Sequence, residues 1–305
     1  MRSSVLRRVA TVAVSLSVAM SSWAAPSAAA DDPLFVGWAE LLPALTYEYQ
    51  PTSLDDCVAG RLRCVDATIR AMEKRYAPLA ASCSHQAVFA LAYLRTTEAY
   101  RRFSATDGNL ADPTFVNHQD VAFARMYFDA YDAWSAGSLE RVPPAWRIAF
   151  DAAGRDGVSG LGNLLLGMNA HVNRDLPFVL AAIGLTRPDG TSRKNDHDRI
   201  DRMLNGVVQP LIDETAATLD PQIPALNTPW GVGYTALLQA IVGWREVAWR
   251  FAELLVAAPT PQARELVAQQ IETYAAVTAR TIVVATSYLP PATSPVRRDA
   301  FCAGR

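Results

Sequence analysis

The sequence predicts an all-α protein, a single-domain bundle of about nine helices. Two observations carry this. Apolar residues recur at helical spacing along most of the chain, and helix stop signals built from Pro and Gly fall at helix-length intervals. No alternating β-branched run bounded by turn residues stands out against them.

Residues 1–30 read as a signal peptide, with one domain over 31–305. Arg2, Arg7 and Arg8 precede an uncharged apolar run from Val9 to Met20, and Ser27-Ala28-Ala29-Ala30 then precedes Asp31-Asp32. That order predicts cleavage after Ala30 and a secreted product. The apolar run is shorter than the ~20 residues of a spanning helix, and no later segment matches it, so no stable membrane insertion is expected. Helices are expected over 36–46, 55–76, 84–103, 117–136, 144–153, 160–184, 196–218, 233–257 and 261–287. Ser84 is a fitting N-cap, and Pro143-Pro144 and Pro259-Thr260-Pro261 mark helix starts. Gly184 and Pro188-Asp189-Gly190 end a helix in a turn, and Pro210 should kink or split its own. The tail from Pro290 reads as extended.

Half of the residues are hydrophobic and 19% are charged, a globular balance. A net charge of −2 leaves no basic footprint for duplex nucleic acid. Cys57, Cys64, Cys83 and Cys302 are an even set in an exported chain and suggest two disulfides. Of the three connectivities, Cys57–Cys64 is favoured, with Gly60 relaxing the short loop, together with Cys83–Cys302, which would tie down the C-terminus. No C-x2-C pair exists, so a zinc ribbon is excluded.

The chemistry-bearing pattern lies in the four histidines. His171 and Asp175, and again His197 and Asp201, are four apart, so each pair shares a helix face, a geometry suited to two ligands of one divalent metal. Both pairs lie on apolar stripes, one with Leu164, Met168 and Phe178, the other with Leu204, Val208 and Leu211. An inward carboxylate is unfavourable unless paired or metal-bound. Asp175 could instead pair with Arg174 or Arg95 in a structural network. His118, where a polar loop enters a helix, is placed for a third ligand; Asp120, two residues on, lies on another face. His85, Glu98 and Asp107 are second-rank candidates. No G-x-S-x-G elbow, phosphate-binding loop, dinucleotide fingerprint, E-x-x-H pair or H-E-x-x-H is present.

The run Leu166 to Pro177, with Asn117-His118 and the Phe123–Trp134 helix, resembles an uncharacterised family of exported actinobacterial proteins, domain of unknown function 5995. That likeness covers most of the mature chain and implies a fold but no activity. A more distant one is to zinc-dependent phospholipases C and single-strand-specific zinc nucleases. These carry a histidine, then H-x3-D followed by Pro, then a second H-x3-D or H-x3-E. Here that order is His118, then His171/Asp175 with Pro177, then His197/Asp201. The resemblance implies one metal at His118, His171 and Asp175, and part of another site at His197 and Asp201. A further histidine after Pro177 and an N-terminal Trp ligand are missing, so a full trinuclear site is not implied.

The expectation is therefore a zinc- or other divalent-metal-dependent phosphoester hydrolase acting on a phospholipid head group or another small phosphoester. The rival is a non-enzymatic secreted helical protein that binds a lipid or apolar ligand, or an interaction module. A closed apolar cavity with its histidines bonded to carboxylates would favour the rival.

Overall fold

A short covalent loop leads into the helical body. Cys57 is bonded to Cys64, and Gly60 between them takes φ +65°. A side chain there would collide with the Thr114 carbonyl, so only Gly fits this left-handed, close-packed position. The computed structural model describes residues 48–223, 232–289 and 294–304. All fall in one compact unit, Gly37–Arg305. The expected signal peptide and the helix over 36–46 lie outside the described residues.

The helices follow in order: α1 Leu62–Ala81, α2 Ala87–Ser104, α3 Pro113–Ser135, α4 Pro144–Gly154, α5 Gly160–Asn169, α6 Leu176–Ile183, α7 Lys194–Asn205, α8 Val208–Thr218, α9 Val232–Ala257, α10 Pro261–Thr286 and α11 Pro295–Ala303. A π-helical turn, Ala170–Asp175, joins α5 and α6 into one continuous rod, and a 3-10 turn, Leu139–Arg141, precedes α4. No strand occurs among the described residues, only the isolated bridges Val158–Ser287 and Thr186–Ser192. The fold is the expected all-α multi-helix bundle.

The rod is the axis of the body. Its residues are buried on nearly every face, as in a helix surrounded by others, and it touches α2, α3, α4, α9 and α10. The largest core cluster gathers Phe89, Tyr93, Tyr127, Trp146, Phe150 and Leu166 around it. Gly167 lets α2 come close: a side chain at that position would run into the Phe89 ring.

Local chemistry moved several boundaries. α1 continues through Pro78 to Ala81, because a proline in the last turns of a helix removes one hydrogen bond only. α3 begins at Pro113, where Asp112 accepts the Phe115 N–H at 3.2 Å and Pro113 takes the first turn. The expected 196–218 helix is split at Gly206-Val207, and Pro210 sits in the first turn of α8, where no intrahelical N–H partner is needed. The tail is helical where an extended chain was expected: Ser294 caps the Val296 N–H at 3.2 Å, Pro295 starts α11, and Cys302 is bonded to Cys83.

That second disulfide closes a loop of 219 residues. Replacing Cys83 and Cys302 by Ser should lower unfolding stability by roughly 2–4 kcal/mol. Hydrogen exchange should show α11 losing protection first while α2 and α5 keep theirs.

Candidate functional site

The π turn exists because of Pro177. A proline at that point in the rod has no N–H to give and its ring crowds the carbonyl of Asn173. Widening the helix by one residue relieves the crowding, and the Leu176 N–H now bonds the His171 carbonyl. The widened turn holds a dense buried polar network. Asp175 has no exposed surface. Its Oδ2 accepts the Trp146 indole N–H at 2.9 Å and the His171 Nδ1–H at 3.0 Å, and its Oδ1 accepts from Arg174 at 3.0 Å. Arg174 also donates to Glu272 of α10 at 2.8 Å. Asn169 and Asn173 bond each other, and Asn169 reaches the Ala275 carbonyl.

With Asp175 Oδ2 accepting from His171 Nδ1, the ring proton sits on Nδ1, which leaves Nε2 as an acceptor. Nε2 is buried and has no partner. Burial lowers the His171 pKa against the pull of Asp175, so the ring is neutral. Phe123 stacks on it with centroids 3.5 Å apart and planes 8° apart, and Tyr93 meets it edge-on at 4.4 Å.

The other expected ligands are engaged elsewhere. His118 Nδ1 donates to the Cys57 carbonyl at 2.9 Å. His197 Nε2 donates to the Arg245 carbonyl at 3.2 Å, and burial, then Arg245, hold its pKa well below the ordinary value. Asp201 accepts from Arg245 at 2.6 Å. Of the expected metal ligands, the structure pairs His171 with Asp175 and does not bring His118, His197 and Asp201 into a cluster with them. Glu98 is bonded to Arg95, which also binds Glu214, and Asp107 is exposed in the loop after α2.

Among the described residues, the group with ligand atoms close enough for one metal ion is His85, Asp156 and Asp299, all within 4.8 Å. His85 is buried; its Nε2 lies 3.2 Å from Asp299 and 3.3 Å from Asp156. Its Nδ1 is 3.2 Å from the Asn163 amide nitrogen, the donor, so the ring proton sits on Nε2. Asp299 Oδ1 also accepts from Arg298 at 2.9 Å. Burial and Arg298 lower the His85 pKa, opposed by Asp156 and Asp299.

The cleft of interest lies elsewhere. A cavity of about 140 Å³ opens between α2, α3, the rod, α7, α8 and α9. Its walls are apolar, among them Val116, Leu164, Met168, Leu204, Val208 and Ile241. Polar residues also line it: Tyr93, Thr96, Thr97, Tyr100, Gln119, Asp120, His171 and Arg245. In four of these one polar atom is buried without a hydrogen-bond partner: Tyr93 Oη, Thr97 Oγ1, Asp120 Oδ2 and His171 Nε2. Burial pushes the Asp120 carboxyl up to about 8. Asp120 acts in turn on Tyr93 and Tyr100, which are raised by burial and then by its charge. Among the described residues Arg245 is the one cation on the wall, and it is engaged by Asp201 and the His197 carbonyl.

A family model described as a family of unknown function, DUF5995, matches residues 65–285. The chain belongs to the DUF5995 family. No curated protein and no solved structure matches it significantly. The distant likeness to zinc phospholipases C and zinc nucleases therefore gains no support from them. The match to DUF5995 spans the rod, the cavity and the His171–Asp175 pair.

Sequence reasoning in this DUF5995 chain missed Asp120, Tyr93, Thr97, Asp156 and Asp299. A signal for Asp120 was present: Val116, Asp120, Phe123 and Tyr127 form one helical stripe, with a carboxylate in the middle of an apolar face. Asp299 was also within reach, because the Cys83–Cys302 bond brings the tail beside His85.

Asp120 has a pH signature. Its folded carboxyl titrates near 8 against 3.8 when free, so between these values the unfolded chain loses a proton that the folded one keeps. Stability therefore falls as pH rises through this window, by up to about 1.4 kcal/mol per pH unit, and is flat above it. Asp120→Asn removes the slope. The rise in Tm over wild type should be small at the acid end and largest near pH 8, a difference that cancels the opposite contribution of the buried histidines.

Proposed function

We propose that this protein is an exported binding protein whose helical body holds a small, mainly apolar molecule with a polar end. The observation that carries this is an apolar cavity with four residues on its wall, Tyr93, Thr97, Asp120 and His171, that each keep a buried polar atom without a partner. A buried polar atom without a partner costs roughly 1–3 kcal/mol, and native proteins leave few. Water would satisfy the polar end but gains nothing from the apolar walls. A molecule with both characters satisfies the whole surface. His171 bonded to Asp175 supports the same reading, since that histidine is held by the fold. Export rests on the N-terminal sequence pattern. Two disulfides fit it, as does the lack, among the described residues, of a helix long and apolar enough to cross a membrane.

A second reading keeps the metal. His85, Asp156 and Asp299 offer three ligand atoms to a divalent ion such as zinc, and a bound metal could activate water for phosphoester hydrolysis. Two features weigh against it: the Arg298 guanidinium on Asp299, and the Nε2 proton that His85 would have to give up. A centre built from His118, His171, Asp175, His197 and Asp201 would require these side chains to leave the partners described above.

The tests are separate. A solvent-sensitive apolar dye should bind the mature protein with one site and be displaced by small amphiphiles. Leu204→Trp, which fills the cavity from α7, should abolish dye binding with the helical circular dichroism unchanged; full dye binding in that variant would sink the cavity reading. Elemental analysis after incubation with zinc decides the second. Near-stoichiometric zinc, lost in His85→Ala, would support a metal centre and a screen with bis(p-nitrophenyl) phosphate; no bound metal would remove it.

A further inference from the structure

Resting on the binding reading above, we propose that the polar end of the ligand is a protonated amine: the cavity takes an amphiphilic ammonium, held by Asp120 Oδ2, His171 Nε2 and the hydroxyls of Tyr93 and Thr97.

The argument begins with donors and acceptors. His171 Nε2 can only accept, because Asp175 holds the ring proton on Nδ1. An ionised Asp120 can only accept. The Tyr93 and Thr97 hydroxyls can accept and can turn their own hydrogens away. Asp120 Oδ2 and His171 Nε2 are acceptors that receive no donor from the protein, and a ligand rich in N–H groups supplies them. An alkyl ammonium brings three N–H groups on one atom. An alcohol brings one O–H, and a carboxylate brings none.

Charge points the same way. Asp120 is a carboxyl without a cationic partner, and Arg245, the cation on the wall among the described residues, is already bonded to Asp201. The titratable groups that share the wall with Asp120 are Tyr93 and Tyr100 of α2, His171 of the π turn and Arg245 of α9. Apart from Arg245, which Asp201 already holds, none of them is positive in the neutral-imidazole state. A carboxylate ligand would meet Asp120 as a like charge. A cation would turn an unpaired buried acid into an ion pair closed by charge-assisted hydrogen bonds.

The rings complete the site. Phe89, Tyr93, Tyr100 and Phe123 all line the cavity, and Phe123 lies flat against His171. Aromatic faces attract a desolvated cation, and their edges carry the apolar tail. Asp120 and Phe123 are neighbours on one face of α3, and Tyr93 and Thr97 on one face of α2. The ammonium site therefore lies where α2 and α3 meet the π turn, and the tail runs towards Leu204, Val208 and Ile241.

The test compares three probes with one tail: hexylamine, hexanol and hexanoate, titrated calorimetrically into the full mature protein at about pH 8.5, where Asp120 is ionised and an alkyl amine still carries its proton. Hexylamine should bind at least about tenfold more tightly than hexanol, and hexanoate most weakly. Asp120→Asn, isosteric and free of the buried charge, should remove that preference, with the helical circular dichroism unchanged. Thr97→Val should weaken the amine by a smaller factor. Equal or tighter binding of hexanol or hexanoate, or an amine preference that survives Asp120→Asn, overturns the ammonium and leaves the cavity reading standing. Binding of none of the three overturns both.

Discussion

The structure depends on how one buried carboxylate is satisfied. Asp175 has no contact with solvent, and an isolated carboxylate in such a place would take up a proton or unfold its surroundings. Here the indole of Trp146, the guanidinium of Arg174 and the imidazole of His171 all donate to it. Those donors come from α4 and from the π turn itself, and Arg174 carries the link on to Glu272 of α10. The network therefore sets the rotation of the central rod against two neighbouring helices. It also fixes the tautomer of His171 and leaves Nε2 without a partner. A shift of one residue in the helix register would point Asp175 into the apolar shell, so the wide turn that Pro177 forces is part of what makes the charge tolerable.

The second polar group on this side of the rod is handled in the opposite way. Asp120 sits one turn before Phe123 on α3, lines the same cavity, and receives no donor at Oδ2. Burial is the one cause of its raised pKa. Asp175 and Asp120 are thus two carboxyls of one region with environments that differ in kind: one completed by the protein, one left open. A fold needs the first. The second only lowers stability near neutral pH unless something else completes it, and perturbed groups of that kind concentrate at functional sites. Once ionised, Asp120 and the neutral His171 are both acceptors on one cavity wall, which suits recognition of a group rich in donors.

Much of the architecture was legible in the sequence because helical periodicity and stop signals are local. Pro143-Pro144, Pro261 and Gly184 end or begin helices where the structure does. Both disulfides are the pairing favoured among the three that the even cysteine count allowed, the short Cys57–Cys64 spacing pointing to one of them. What failed was of two kinds. Capping by Asp112 and Ser294 extended or created helices, an effect of single side chains that periodicity does not weigh. In the site, H-x3-D spacing correctly placed each pair on one face. It could not say which third group would reach that face: Arg245 came to His197 and Asp201, Trp146 and Arg174 to Asp175. Those partners come from distant or unrelated parts of the chain. Spacing within one helix carries no information about them.

The contrast between the two titratable clusters decides which reading of function the molecule favours. Around His85 the acidic groups are met by groups of the protein: Arg298 donates to Asp299 and to the carbonyls of Cys83 and Ser84, and His85 donates towards both aspartates. The result is a clamp that fastens α11 beside the start of α2, next to the disulfide that joins the same two segments. A metal there would compete with bonds that already hold the tail. Around His171 the carboxylate that the fold requires is saturated, and the atoms beyond it are not. Their lack of partners coincides with space lined by apolar and aromatic side chains. Where a protein completes a polar cluster from its own residues, the cluster explains the fold. Where it leaves acceptors open against a cavity, the missing donors describe the molecule that belongs there.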